Sequence, residues 1–246
     1  MENIIIVKNL SVNLGGREVL KDISFEIEKG SSVVIIGQSG SGKTVLIKTI
    51  LGIIKSYKGE IYIFGENINR ISEERLKEIR ERIGMVFQNS ALFDSLSVWK
   101  NVGFYYLYHS DKSEEEIKNM SIEILKKLGL DENVADMMPE ELSGGMKKRV
   151  SIARCLISQP EILFYDEPTT GLDPITSENL TELIKKIHKD FNTTDITVTH
   201  DVKLASKIGE RLILIDNGRI IESGTYEELK KKSKHPLIRS YVEIEK

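Results

Sequence analysis

Aliphatic and β-branched residues fall along the first third of the chain in short runs: Ile4-Ile5-Ile6-Val7, the stretch from Val19 to Ile27, and Val33-Val34-Ile35-Ile36. Such runs predict strands, and Gly15-Gly16 and Lys29-Gly30 predict the turns between them. The third run leads straight into a glycine-rich loop, after which a helix begins near Lys43 and a short strand follows from Glu60 to Phe64. A charged segment from Ser72 to Arg82 predicts a helix before the strand Ile83 to Phe87. The period then changes. Ile117, Met120, Ile124 and Leu128 stand at i, i+3, i+7 and i+11, one face of an amphipathic helix, and the pattern stays helical to about Pro139. Ile162 to Tyr165 resumes the strands as a continuous apolar run of the kind a buried parallel strand shows. A second helical stripe (Leu180, Leu183, Ile184, Ile187, Phe191) precedes the strand Asp195 to Thr199. Asn217-Gly218, between Leu212–Asp216 and Arg219–Glu222, predicts a hairpin with a type I′ turn, and the tail from Thr225 is helical and basic.

This order predicts an α/β core with a helical insert. The 246 residues amount to roughly 1.6 domains of ordinary size, which favours one domain with an insertion over two independent folds. With 40% hydrophobic and 30% charged residues the chain is globular rather than disordered. No apolar run approaches the ~20 residues that span a bilayer. Met1-Glu2-Asn3 has neither the basic nor the apolar part of a signal peptide, so the expectation is a cytosolic protein. Cys155, the single cysteine, forms no intrachain disulfide and reads as an inert thiol in an apolar helical pattern. A net charge of −3 gives no bulk attraction for nucleic acid, and none is expected as a partner.

Three motifs carry chemistry. Gly37-Gln38-Ser39-Gly40-Ser41-Gly42-Lys43-Thr44 fits the phosphate-loop pattern G-x-x-x-x-G-K-S/T in the required strand–loop–helix context. The glycines let backbone N–H groups converge on phosphate oxygens, and the helix N-terminus adds partial positive charge. Lys43 is expected to reach the β- and γ-phosphates and Thr44 to ligate Mg²⁺. A plain glycine-rich turn needs neither residue, but the motif alone does not separate kinases, GTPases and motor ATPases. The strand Ile162-Leu163-Phe164-Tyr165 ends in Asp166-Glu167. Asp166 is placed to hold Mg²⁺ through water, and Glu167 to polarise an attacking water as general base. Leu142-Ser143-Gly144-Gly145-Met146 opens an amphipathic helix with Ser143 as N-cap and two glycines exposing amides, a second anion site that a kinase or GTPase rarely has.

The phosphate loop, Gln88, the Leu-Ser-Gly-Gly signature, the Asp-Glu pair, Thr170-Gly171-Leu172-Asp173 and His200 occur in an order that resembles the nucleotide-binding subunits of ABC transporters. The resemblance covers nearly the whole chain. It implies a P-loop NTPase core with an N-terminal antiparallel β subdomain (1–88 and 160–224), an inserted helical subdomain carrying the signature (89–159) and a C-terminal helical tail (225–246). It further implies a head-to-tail homodimer sandwiching two ATP molecules. Lys43 and the loop amides grip phosphates from one chain, while Ser143 and Gly145, with Gly144 in the same turn, meet the γ-phosphate from the other. Gln88 ligates Mg²⁺ and senses the transport partner, Asp173 communicates across the dimer, and His200 holds the γ-phosphate. Each half-site is incomplete alone, so hydrolysis waits for closure.

The signature ends in Met146, where the family usually has Gln, and runs on into Lys147-Lys148-Arg149. This segment, with Phe87 to Val98 and Asp173-Pro174-Ile175-Thr176, is similar to the ATPases of Mla-type and Mce-type lipid transporters. That likeness implies a cytoplasmic ATPase on the inner face of the cell membrane, a separate integral permease, an MCE-domain protein and, in some systems, a STAS-domain partner. A polar-solute importer is the first rival. A non-transport ATPase acting on nucleic acid or ribosomes is the second, disfavoured by a single cassette without sustained heptads. Leu14 stands where the family usually has an aromatic residue against adenine, which predicts weaker or less selective base binding. The aromatic segment Gly103 to His109 fits either a permease interface or packing within the helical subdomain. His109, His188 and His235 lack metal-ligand spacing and are expected at the surface. Lys147-Lys148-Arg149 is expected on the outward face of the signature helix, and the C-terminal lysines in solvent.

Overall fold

The computed structural model describes residues 2–55 and 57–244; Met1, Ser56 and the end of the basic tail lie outside the described residues. Strands β1 (Asn3–Leu14) and β2 (Arg17–Glu28) form a long antiparallel hairpin, then β3 (Ser32–Ile36) runs through the phosphate loop to α1 (Lys43–Ile50). β4 (Tyr57–Ile63) and β5 (Glu66–Asn67) complete a four-stranded antiparallel sheet in the order β2-β1-β4-β5. The charged segment forms α2 (Glu73–Glu81), capped by the Ser72 hydroxyl, and leads to β6 (Ile83–Val86).

The helical middle comprises α3 (Val98–Val102), α4 (Phe104–His109), α5 (Glu114–Lys127) and the signature helix α6 (Gly144–Leu156). Ser113 and Glu116 cap α5 reciprocally, each side chain satisfying a backbone N–H of the first turn. The chain then alternates through β7 (Ile162–Asp166), α7 (Pro174–Phe191), β8 (Thr194–Thr199), α8 (Val202–Ile208), β9 (Arg211–Asp216) and β10 (Arg219–Gly224). The tail forms α9 (Tyr226–Lys232) and α10 (Pro236–Ile244). Asn217 and Gly218 both adopt positive φ, as a type I′ turn requires.

The second sheet has the order β10-β9-β3-β8-β7-β6, parallel from β9 to β6 with β10 antiparallel at one edge. Its central strands are buried on both faces, which is why their sequences read as unbroken apolar runs. Alternate residues feed two cores. Val33, Ile35, Phe164 and Ile213 join α1, α2 and the small sheet, whereas Val34, Ile36, Tyr165 and Leu214 face the helical middle, α7 and α8.

Three expectations about basic residues and histidines are corrected. Lys148 is buried, 4% exposed, rather than on the outward face of α6, because it stands at i, i+4, i+7 with Ile152 and Cys155 on the apolar stripe. Arg149 also turns inward, donating to the Leu128 carbonyl at 2.9 Å. His188 is partly buried at the end of α7, with Nδ1 3.5 Å from the buried Asp195 carboxylate, and that contact raises its pKa against the opposing effect of burial. His235 packs 3.8 Å from Asp216 and accepts from the Leu237 N–H. His109 is exposed, as expected. In the aromatic segment Phe104 stacks on Phe93 at 4.5 Å and the Tyr106 hydroxyl donates to the Ile157 carbonyl, packing it within the helical middle, while Tyr108 is 66% exposed.

Candidate active site

The phosphate loop leaves the carboxyl end of β3, the centre of the large sheet, and its conformation is dictated by close approaches. A side chain at Gly37 would meet the Ile215 carbonyl at 2.3 Å, and one at Gly42, where φ is +106°, would meet Leu20 at 2.7 Å. Lys43 begins α1 but its ammonium folds back, donating to the Gly37 carbonyl at 2.7 Å and the Gln38 carbonyl at 3.1 Å. Burial lowers its pKa, opposed by Glu167 and Asp166.

Asp166 ends β7 and Glu167 follows with φ of 46°, a left-handed conformation that side-chain-bearing residues disfavour and that recurs at functional sites. Its N–H donates to the Val198 carbonyl, tying the turn to β8. Oε1 lies 3.6 Å from Lys43 Nζ. Oε2 accepts from the Thr199 hydroxyl at 3.0 Å and sits 2.9 Å from His200 Nδ1. The Thr170 hydroxyl, in the same Thr-Gly-Leu-Asp segment as Asp173, is 3.4 Å from Oε2; Thr199 is a site member that nothing in its sequence context marks. Burial and the neighbouring Glu167 charge raise the Asp166 pKa, and its Oδ1 is buried with no hydrogen-bond partner among the described residues.

A cleft of about 480 Å³ brings Ser39, Gly40, Gly42, Lys43 and Thr44 together with Gln88, Glu167 and His200, and Val19 closes one side. Ser143, Gly144, Gly145 and Asp173 do not line it. They form a second cluster. A Cβ on Gly145 would meet Thr176 at 2.6 Å and one on Gly144 would meet Leu172 at 3.3 Å, so the signature turn packs on the loop carrying Asp173. Ser143 caps α6 through the Met146 N–H, and the Asp173 carboxylate caps α7 by accepting from Ile175 and Thr176.

A family model described as ABC transporter matches residues 20–170. The chain belongs to the ABC transporter family. It is 37% identical over 241 residues to the methionine import ATP-binding protein MetN of Carboxydothermus hydrogenoformans, covering 97% of this chain and 71% of that protein. It is 38% identical over 228 residues to the intermembrane phospholipid transport system ATP-binding protein MlaF of Haemophilus influenzae, covering 93% and 86%. Among solved structures, the dimeric ATP-binding cassette MJ0796 bound to ADP and Pi in a post-hydrolysis state has a TM-score of 0.80 and 34% identity, over 90% of this chain and 98% of that one. Part of the cbiONQ transporter complex, cbiO1 of Clostridium perfringens, has a TM-score of 0.84 and 31% identity with full coverage of both. This ABC cassette is an ATP-binding, ATP-hydrolysing subunit of α/β architecture. Among its described residues no helix is long and apolar enough to cross a membrane.

Proposed function

We propose that this cassette drives the transport of a phospholipid or similarly hydrophobic substrate, as a cytoplasmic homodimer bound to a separate membrane permease. The observation carrying the substrate class is the signature Leu142 to Met146 with its basic continuation, which is similar to lipid-transport ATPases, as is the chain to MlaF. The 37% identity to MetN supports a second reading, import of a polar solute such as an amino acid. Pulling the chain from detergent-solubilised native membranes separates the two. Co-recovery of a multi-span permease with an MCE-domain protein and bound phospholipid is expected; a permease with a binding protein for a polar solute sinks the lipid reading alone, and recovery with ribosomes or DNA and no permease sinks transport itself. A STAS-domain partner, if present, appears in the same preparation.

The division into two clusters supports the dimer. One chain presents phosphate-loop, carboxylate and histidine groups in the cleft and its signature amides elsewhere, so a second copy supplies Ser143, Gly144 and Gly145 to the ATP. Asp173, beside that signature turn, sits at the same junction. Thr44 and Gln88, which line the cleft, and Asp166 suit Mg²⁺: they are hard oxygen donors, and Asp166 Oδ1 is buried without a hydrogen-bond partner among the described residues. When bound, Mg²⁺ neutralises charge on the β- and γ-phosphates. Lys43 then exchanges the Gly37 and Gln38 carbonyls for phosphate oxygens, and its departure from Glu167 leaves Oε1 to accept a proton from the attacking water. His200, held through Glu167 Oε2, faces the γ-phosphate.

Val19 is an aliphatic residue in the cleft wall, whereas Leu14, 39% exposed at the tip of the β1–β2 hairpin, does not line the cleft. Replacing Leu14→Tyr is expected to tighten ATP binding at least about fivefold, since base–aromatic stacking contributes roughly 1–3 kcal/mol. Titration calorimetry reads this directly; an unchanged dissociation constant means the hairpin tip does not reach the base.

A further inference from the structure

Lys148 puts a charge where an apolar side chain would be cheaper. It is 4% exposed within the apolar stripe of α6, and burial lowers its pKa against the opposing charges of Asp166 and Glu167. Its ammonium donates to the Gln88 carbonyl at 2.5 Å. A buried cation is retained at a cost in desolvation, so what it holds is informative. Gln88 lines the same cleft as Thr44.

The loop that Gln88 opens is pinned along its length. Arg154, further along the same helix, donates to the Ala91 carbonyl at 2.7 Å and the Ser90 carbonyl at 3.1 Å. Ser90 and Ala91 have φ of 60° and 48°, a left-handed pair that persists only where surrounding contacts over-determine it. At the far end, the fully buried Asn101 accepts from the Phe93 N–H and donates to the Phe93 and Leu96 carbonyls. Arg154 and Asn101 fix the shape of the loop, whereas Lys148 fixes the one peptide next to the site.

We infer that Lys148 is a positioning residue for the metal half of the site: by holding the Gln88 carbonyl from the signature helix, it aims the Gln88 side chain at the ion shared with Thr44 and Asp166. The inference rests on the proposed reading of those three residues as metal-facing. It also makes α6 common to both clusters, since Ser143 caps its first turn and Lys148 anchors Gln88.

Mn²⁺, as a spin probe for Mg²⁺, tests this by electron paramagnetic resonance on the full chain with ATP. Lys148→Met keeps the length and apolar stem and removes the donor. It is expected to weaken Mn²⁺ binding about 10-fold, the scale typical of losing an outer-shell partner of a metal ligand. ATP affinity measured in EDTA stays unchanged, amide exchange across 87–93 accelerates, and Lys148→Arg restores most of the Mn²⁺ affinity. Equal losses of Mn²⁺ and metal-free ATP binding would mean a general structural role and overturn the inference. So would unchanged Mn²⁺ binding in Lys148→Met alongside weakened binding in Thr44→Val, leaving the metal site itself intact. Unchanged Mn²⁺ binding in both variants would remove the metal reading together with the inference.

Discussion

Glu167→Gln is expected to lower steady-state hydrolysis by roughly 10²- to 10⁴-fold, the usual contribution of a general base, while ATP stays bound and two copies stay together. The substitution preserves shape. An amide oxygen in the place of Oε2 still accepts from the Thr199 hydroxyl and the His200 N–H, so the turn and the histidine keep their positions. The other half of the group changes more. Oε1 faces the Lys43 ammonium at 3.6 Å with both side chains largely buried, and the amide gives up that ion pair. Lys43 is then held less firmly in the free chain, so ATP binds at least as well as before. Phosphate release and light-scattering size, measured together with ATP and Mg²⁺, check both parts. A variant that remains monomeric with the transport partners present argues against the sandwich, and one that retains hydrolysis argues against Glu167 as the base.

Lys43→Ala is expected to weaken ATP binding by roughly 10- to 150-fold for each charge-assisted hydrogen bond lost to phosphate, taking about 1.5–3 kcal/mol for a bond to a charged group. Two features of the site move the outcome in opposite directions. The free protein already occupies Lys43 with the Gly37 and Gln38 carbonyls, so the wild-type lysine gives up two good contacts when it turns to the nucleotide. Against that, its removal leaves Asp166 and Glu167 without the cation between them and an incoming polyphosphate, adding repulsion. The second effect is the larger, because like charges at a buried site cost more than exchanging one hydrogen-bond acceptor for another. Calorimetric titration with ATP decides the matter; an unchanged affinity contradicts the phosphate-loop assignment.

The phosphate loop is legible in the sequence because geometry leaves few residues a choice: Gly37 and Gly42 are where any side chain would strike backbone or core. The central strands are legible for a similar reason, burial on both faces. β1 is less so. The apolar run stops at Val7, yet the strand continues to Leu14 across an irregularity between Val7 and Leu10, where Asn9 takes positive φ and its N–H donates to the Ser24 hydroxyl. Side-chain hydrogen bonds carry the chain over a break that period-two patterning reads as an end. Lys148 and His188 were hidden by chemistry rather than pattern. Both sit on helical stripes, at i−4 from Ile152 and i+4 from Ile184, but a charged or titratable residue there declares burial only if its partner is known. Those partners, Gln88 and Asp195, lie on other elements. The Lys43–Glu167 ion pair is equally long-range: Lys43 is recognisable as phosphate-facing and Glu167 as the carboxylate for the attacking water, and nothing local says that they meet.

The strand order of the large sheet bears on how the protein is made. β3 is flanked by β9 and β8, both of which come after residue 193, so the strand that carries the phosphate loop has neither neighbour through most of synthesis. Contacts this distant in sequence form late and slowly. The helical middle, whose helices are near one another in sequence, can collapse as it emerges, but β3 keeps one edge open until β8 and the other until β9 has left the ribosome. Nascent chains halted before Thr194 therefore carry a complete signature helix and no nucleotide site, and they are the species most in need of a chaperone.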